Sequence, residues 1–219
     1  MINNILAVGD SFTYGEELES TDSCFANQLA KILKAHVLNL GKPGSGNKLM
    51  IRNVIEHVSI GKPLDLVIIG WSSPGRMEFA DDDGTFDIWP GRNGQTFIGQ
   101  QPWRLELIDY INKYHSPEHI YQSHMLDVIL MQTYLKHNDI KYIMMTTQAN
   151  EYYHNIYCPR MQHLVSQIDA KYYIGWPYEG MAEWTQGCKR GPYGHFLEDG
   201  HKQVTKKLYE HIRNFGWLS

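Results

Sequence analysis

The chain has 219 residues, a net charge of −4 at neutral pH and 42% apolar residues. That suits a single domain with a sizeable core and excludes a disordered or fibrous chain. The lack of a basic excess or basic run argues against a nucleic-acid surface. No apolar run approaches the roughly 18 residues that span a bilayer. The opening MINNILAVGDS has no basic n-region and no small-residue cleavage site, so it reads as a first strand and not as a signal peptide. Cys24, Cys158 and Cys188 are an odd set without metal-ligand spacing. They point to a reducing setting, the cytosol or a virus particle, and away from a disulfide framework.

In chain order, near-continuous apolar runs lie at 4–9, 37–41, 65–70 and 141–147, with a weaker one at 171–175. Such runs fit strands of a parallel sheet buried on both faces. Helical periodicity separates them. Residues 22–35 carry Phe25, Leu29, Ile32 and Leu33 on one face, and 47–58 carry Leu49, Met50, Val54, Ile55 and Val58. Residues 118–137 and 200–213 continue the pattern. The alternation predicts one α/β domain over 1–219, doubly wound and three-layered, with a flavodoxin-like parallel sheet of about five strands in the order 2-1-3-4-5. Residues 74–103, rich in Gly, Pro and Asp, break the pattern and read as an irregular insertion or lid, and 176–194 is a second irregular stretch. The 7 Phe, 6 Trp and 14 Tyr exceed what the periodic segments use. They fit core packing and loop anchoring, or a stacking surface for a ring-shaped ligand such as a sugar.

Ligands of open α/β sheets bind beyond the C-terminal strand ends. The residues there are Gly9-Asp10-Ser11-Phe12-Thr13-Tyr14-Gly15, then Gly41-Lys42-Pro43-Gly44-Ser45-Gly46-Asn47, then Gly70-Trp71-Ser72-Ser73, and near the end Gly194-His195-Phe196-Leu197-Glu198-Asp199-Gly200-His201. In this order the set resembles the SGNH (GDSL-type) hydrolase superfamily. The resemblance implies that Ser11 is the nucleophile and His195 the base. It also implies that the N–H groups of Ser11 and Gly44 hold the oxyanion, with Ser72 where the family has an Asn side chain. A serine hydroxyl needs such a neighbouring base to become a useful nucleophile. Two positions depart from the family. Ser72 is a shorter donor than Asn, and Pro192 stands where the family has the Asp three residues before the histidine. A backbone carbonyl or a carboxylate from elsewhere must then hold His195 Nδ1.

Other candidates follow from position. Glu198 and His201 have acid-x-x-His spacing, but they also suit the first turn of a helix. Asp10 reads mainly as a buttress of the turn. Asn47 can cap the next helix, tie loops or donate to substrate. Trp71, Trp89 and Trp103 are candidates for an aromatic wall. GKPGSGNK misses the G-x-x-x-x-G-K-[ST] phosphate-loop pattern by one place. No Glu-partnered His-x-x-x-His helix pair suggests zinc, and Asp81-Asp82-Asp83-Gly84 fits a solvated turn better than a calcium loop. The expectation is an esterase with no cofactor and no metal, acting on a small acyl ester such as an acetyl ester on a carbohydrate, with no nucleic-acid or membrane partner. The competing expectation is an SGNH-fold binding or structural module with an impaired site. Oligomeric state is not legible.

Overall fold

Asn4–Gly9 (β1), His36–Asn39 (β2), Leu66–Trp71 (β3), Met77–Asp81 (β4), Gly84–Ile88 (β5) and Lys141–Thr146 (β6) are the strands. The helices are Ser11–Tyr14 (α1), Phe25–Leu33 (α2), Asn47–Ser59 (α3), Pro102–Tyr114 (α4), Pro117–His137 (α5), Gln162–Val165 (α6), Met181–Trp184 (α7) and Glu198–Asn214 (α8). This computed structural model describes residues 2–81, 84–88, 102–114, 116–148 and 161–218.

Four strands form a parallel sheet in the order β2-β1-β3-β6. The two central strands are apolar on both faces because both faces are covered. On one side Leu6, Val8, Val67, Ile69 and Trp71 pack against Met50 and Val54 of α3 and Met125, Val128, Met131 and Leu135 of α5. On the other, Ile5, Ala7, Leu66, Ile68, Ile143 and Met145 pack against Phe25 and Leu29 of α2 and Val204, Leu208 and Ile212 of α8. The strand-to-helix alternation read from the sequence therefore gives the expected three layers and strand order. Among the described residues no helix is long and apolar enough to cross a membrane.

The fifth candidate strand shrinks to one parallel bridge, Met144 to Tyr173. Met144 N–H donates to Tyr172 O at 2.7 Å, and Ile174 N–H donates to Met144 O at 2.9 Å. Pairing stops there because Gly175 takes φ 81° and the next residues turn back on it, with Tyr178 N–H on Gly175 O.

The insertion is more regular than its composition suggested. β4 and β5 form an antiparallel hairpin in which Met77 faces Ile88 and Asp81 faces Gly84; the rest of the acidic run, residues 82 and 83, lies outside the described residues. α4 follows, and Leu107 and Ile111 pack with Met77, Phe79 and Ile88 in a small core of their own. Arg52 of α3 grips both carboxylate oxygens of Glu78, which holds β4 beside the helix that leads from the Gly44 turn. Residues 89–101 lie outside the described residues.

Candidate active site

β1 ends at Gly9, and the chain turns straight into α1. Asp10 makes that turn by capping it, its Oδ1 accepting Phe12 N–H at 3.1 Å. Asp10 is fully buried, and its Oδ2 also accepts from Thr147 Oγ1 at 2.9 Å and Gln148 Nε2 at 3.4 Å. It is a buttress. Ser11 is the first helical residue, so its N–H has no intrahelical acceptor.

α1 lasts only four residues because Gly15 adopts the left-handed conformation at φ 89°. Gly15 N–H and Glu16 N–H both return to Ser11 O at 3.0 Å. This tight reversal carries Glu16 and Glu17 back over Ser11. Glu17 itself sits at φ 69°, a region that residues other than glycine seldom occupy and that concentrates at functional sites.

The strain is held by hydrogen bonds. Glu17 Oε1 accepts Tyr193 N–H at 2.8 Å, and Oε2 accepts His195 N–H at 3.0 Å. His195 Nδ1 lies 2.8 Å from the same Oε2. Burial pushes the Glu17 carboxyl upward, but the backbone N–H donors and His195 outweigh it, so the group lies below its ordinary value and is ionised at neutral pH. An ionised carboxylate only accepts, so Nδ1 carries a proton, and in the neutral ring that tautomer leaves Nε2 bare. His195 Nε2 lies 2.8 Å from Ser11 Oγ, where the bare nitrogen of that tautomer can accept a hydrogen bond from the hydroxyl. A side chain at position 191 would collide with the Glu17 carboxylate, which explains glycine there. Phe12, its ring 4.8 Å from the imidazole, flanks His195. Gly191 N–H on His195 O at 2.9 Å and Arg190 Nη1 on Gly194 O at 2.8 Å fix the loop.

Gly44 stands at the same sheet edge with φ 79°, and nothing lies within 4 Å of where its Cβ would be. Its N–H has no protein acceptor among the described residues. Ser72 follows β3 and is fully buried. Its N–H donates to Asn47 Oδ1 at 2.9 Å and its O accepts Asn47 Nδ2 at 3.3 Å, while its Oγ has no hydrogen-bond partner among the described residues. Asn47 is thus a tie between the second and third loops, buried and engaged also with His124 Nδ1 at 3.1 Å, and not a surface open to substrate.

Other expectations need correcting. Trp71 is fully buried and belongs to the core cluster. Strand alternation gives it the face of Val67 and Ile69, so it cannot line an open wall. Trp89 lies outside the described residues, as does the side chain of Trp103 near the start of α4. His201 is buried, and its Nδ1 accepts Phe25 N–H at 3.1 Å. Burial, and then the nearby His195, lower its pKa from 6.5 to about 4, so it is a neutral acceptor for the start of α2. Glu198, at the start of α8, is exposed and accepts from Ser23 Oγ at 3.0 Å.

Three residues escaped the sequence reading. Glu17 lies 178 positions from His195, where local acid-x-x-His spacing cannot find it. Glu16 brings its Oε2 within 3.4 Å of His195 Nε2. Arg76, with a side chain only 9% exposed, donates to Ser45 O at 3.2 Å and lies 3.8 Å from Asp10 Oδ2. It joins the insertion to both the Gly44 turn and the Ser11 turn. The adjacent Glu16-Glu17 pair after a turn glycine was the one signal available for the carboxylates.

The profile of DUF6071, described as a family of unknown function, matches residues 13–219. The chain belongs to the DUF6071 family. No curated protein matches this DUF6071 chain. Solved structures do. The psychrotrophic esterase EstA from Pseudoalteromonas sp. aligns with a TM-score of 0.58 at 10% identity, over 97% of this chain and 98% of that one. A member of the lipolytic G-D-S-L family from Veillonella parvula gives 0.50 at 14% identity, over 94% and 96%. The acetyl xylan esterase Est2A from Butyrivibrio proteoclasticus gives 0.53 at 15% identity, over 99% of this chain and 65% of that one. The DUF6071 chain therefore has the SGNH hydrolase fold, and its structural neighbours include esterases.

Proposed function

We propose that this protein is a serine esterase that removes a small acyl group from a polar alcohol, with Ser11 as nucleophile, His195 as general base and Glu17 as the acid that holds the base. The observation that carries the proposal is the unbroken relay from Glu17 Oε2 through His195 to Ser11 Oγ, 2.8 Å at each link. Ser11 Oγ attacks the ester carbonyl as His195 Nε2 takes its proton. The imidazolium that forms faces an ionised carboxylate already oriented by two backbone N–H groups, so little reorganisation is needed. The N–H groups of Ser11 and Gly44, with the Ser72 hydroxyl, receive the oxyanion. The imidazolium then protonates the leaving alcohol, and water resolves the acyl-enzyme by the same route in reverse.

Acetyl esters of carbohydrates are the first substrates to test. The acetyl xylan esterase among the neighbours supports this choice. So do two exposed tyrosines beside the relay, Tyr193 at 78% and Tyr14 at 42% exposure, which suit stacking against a sugar ring. The competing module reading drew its force from the missing Asp and the missing oxyanion Asn, and Glu17 speaks against the first of these. Hydrolysis of an aryl acetate by wild type, Ser11→Ala and His195→Ala tests the proposal. A rate well above background that collapses in both variants is expected, and equal rates in all three would leave the binding module.

A further inference from the structure

Two carboxylates flank one imidazole, and they are not equivalent. Glu17 is buried, its side chain 8% exposed, and it is saturated by three donors. Glu16 is 33% exposed, and its carboxylate lies on the opposite edge of the ring, Oε2 to Nε2 at 3.4 Å. That edge faces Ser11 Oγ, and the one-third exposure of Glu16 gives solvent a way to it.

In the resting site the Ser11 hydroxyl fills Nε2 at 2.8 Å, and a carboxylate next to the bare nitrogen lone pair gains nothing. Once Ser11 is acylated its Oγ has no proton to donate. The molecule that next donates to Nε2 is the attacking water, and that water has a second O–H. We infer that Glu16 is a catalytic residue of deacylation, accepting a hydrogen bond from the second O–H of the attacking water while His195 Nε2 takes the first proton; this rests on the esterase reading above. Hydrogen bonds of about 2.8 Å from both hydrogens of one water put their acceptors about 4.5 Å apart. The half-open Glu16 side chain must therefore swing out by about 1 Å, which its exposure permits. Two acceptors fix the water's lone pair toward the acyl carbon, which is the positioning that such a reaction rewards.

The step balances. The water oxygen bonds the acyl carbon, one water proton passes to Nε2, and the other stays on the attacking oxygen in its hydrogen bond to Glu16. The tetrahedral species expels Ser11 Oγ, which takes the proton from Nε2, and the free acid leaves. Glu16 neither gives nor takes a proton in the step. In acylation the same place is taken by the leaving alcohol, which has carbon where water has its second hydrogen. Glu16 therefore has no hydrogen bond to accept from an aryl alcohol.

This asymmetry sets the test. Pre-steady-state and steady-state hydrolysis of an aryl acetate are compared for wild type, Glu16→Gln and Glu16→Ala, with intact-protein mass spectrometry of the acetylated enzyme during turnover. The expected result is that kcat falls about ten-fold or more in both variants. KM falls with it, kcat/KM stays within about two-fold, and acetyl-Ser11 enzyme accumulates. The burst of released phenol reports correct folding in the same experiment. If acylation and deacylation slow together, Glu16 acts only by its charge on the imidazole, and the inference is overturned. It is overturned also if neither slows. A wild type that never becomes acylated at Ser11 removes instead the esterase reading on which the inference stands.

Discussion

Replacing Glu17 by Gln exchanges one atom with little change of shape and removes the charge from the relay. The carboxylate accepts on both oxygens, Oε1 from Tyr193 N–H at 2.8 Å and Oε2 from His195 N–H at 3.0 Å with Nδ1 at 2.8 Å. A glutamine has one carbonyl oxygen, so its NH2 must oppose one side. Facing His195, it opposes the backbone N–H and turns Nδ1 into an acceptor, which moves the ring proton to Nε2, where nothing can take the Ser11 proton. Facing Tyr193, it opposes that N–H and leaves a neutral carbonyl where the imidazolium needs a counter-charge. The equivalent carboxylate-to-amide exchange in a serine protease costs about 10⁴ in kcat, or about 5 kcal/mol of transition-state stabilisation, through the wrong tautomer. That is the upper bound here, and the second orientation sets a loss of at least about ten-fold, because Glu17 is the one carboxylate on Nδ1 among the described residues. KM should stay within about three-fold, since Glu17 touches no substrate. The loss of charge-assisted bonds should cost roughly 1–2 kcal/mol of stability, too little to unfold the domain. The assay is steady-state aryl-acetate hydrolysis with denaturant unfolding of the same samples. A folded Glu17→Gln variant within ten-fold of wild-type kcat would refute the relay and require another partner for His195.

Glu17 also links stability to acid. Its carboxyl lies below its ordinary value of 4.5 in the fold, so its contribution is complete above about pH 4.5 and disappears as pH falls through the lower folded value. Wild type should lose unfolding free energy faster than Glu17→Gln across that window, measured by denaturant titration, while Asp65 and Asp199, also lowered, act equally in both. His201→Leu orphans the buried Phe25 N–H and should cost about 1–3 kcal/mol without changing kcat of the folded enzyme. It should also flatten the loss of stability that His201 imposes as pH falls from 6.5 toward about 4, since the unfolded chain binds that proton first. Ser72→Ala removes a hydroxyl that is buried without a partner, so thermal stability should hold or rise while kcat falls about 10²-fold if that hydroxyl holds the oxyanion. Arg76→Ala leaves Asp10 its three other donors but no cation, which should cost about 2 kcal/mol and lower kcat through a loosened Gly44 turn, with partial rescue in Arg76→Lys.

What could be read beforehand follows from the range of each signal. β1 and β3 announce themselves because strands covered on both faces must be apolar at consecutive positions, and α2, α3, α5 and α8 because one face of each must be. Ser11 and His195 were legible as neighbours of strand and helix ends. The β4–β5 hairpin was not, because its core is a handful of residues shared with α4. Trp71 was misplaced because composition does not say which way the last residue of a strand points. Glu17 and Arg76 were missed for a deeper reason. Each acts across the fold, on His195 178 positions away and on Asp10 66 positions away, and such pairings exist only once the sheet has brought its loops to one edge.

In the proposed relay the acid sits on the nucleophile's own turn, so the three groups come in two pieces where three separate loops would give three. Ser11 and Glu17 travel together on one short, strained segment bolted to β1, while the far end of the chain brings only an imidazole and its backbone. Since the Glu17 carboxylate grips that backbone as well as the ring, the histidine cannot drift from the acid without also releasing Tyr193 and His195 N–H. On the proposed esterase reading, competence then hangs on a single mechanical coordinate, the docking of the 191–195 loop onto residue 17. Anything that pries that loop away, a ligand, a crosslink or a cut in the chain ahead of it, switches off base and acid in one movement.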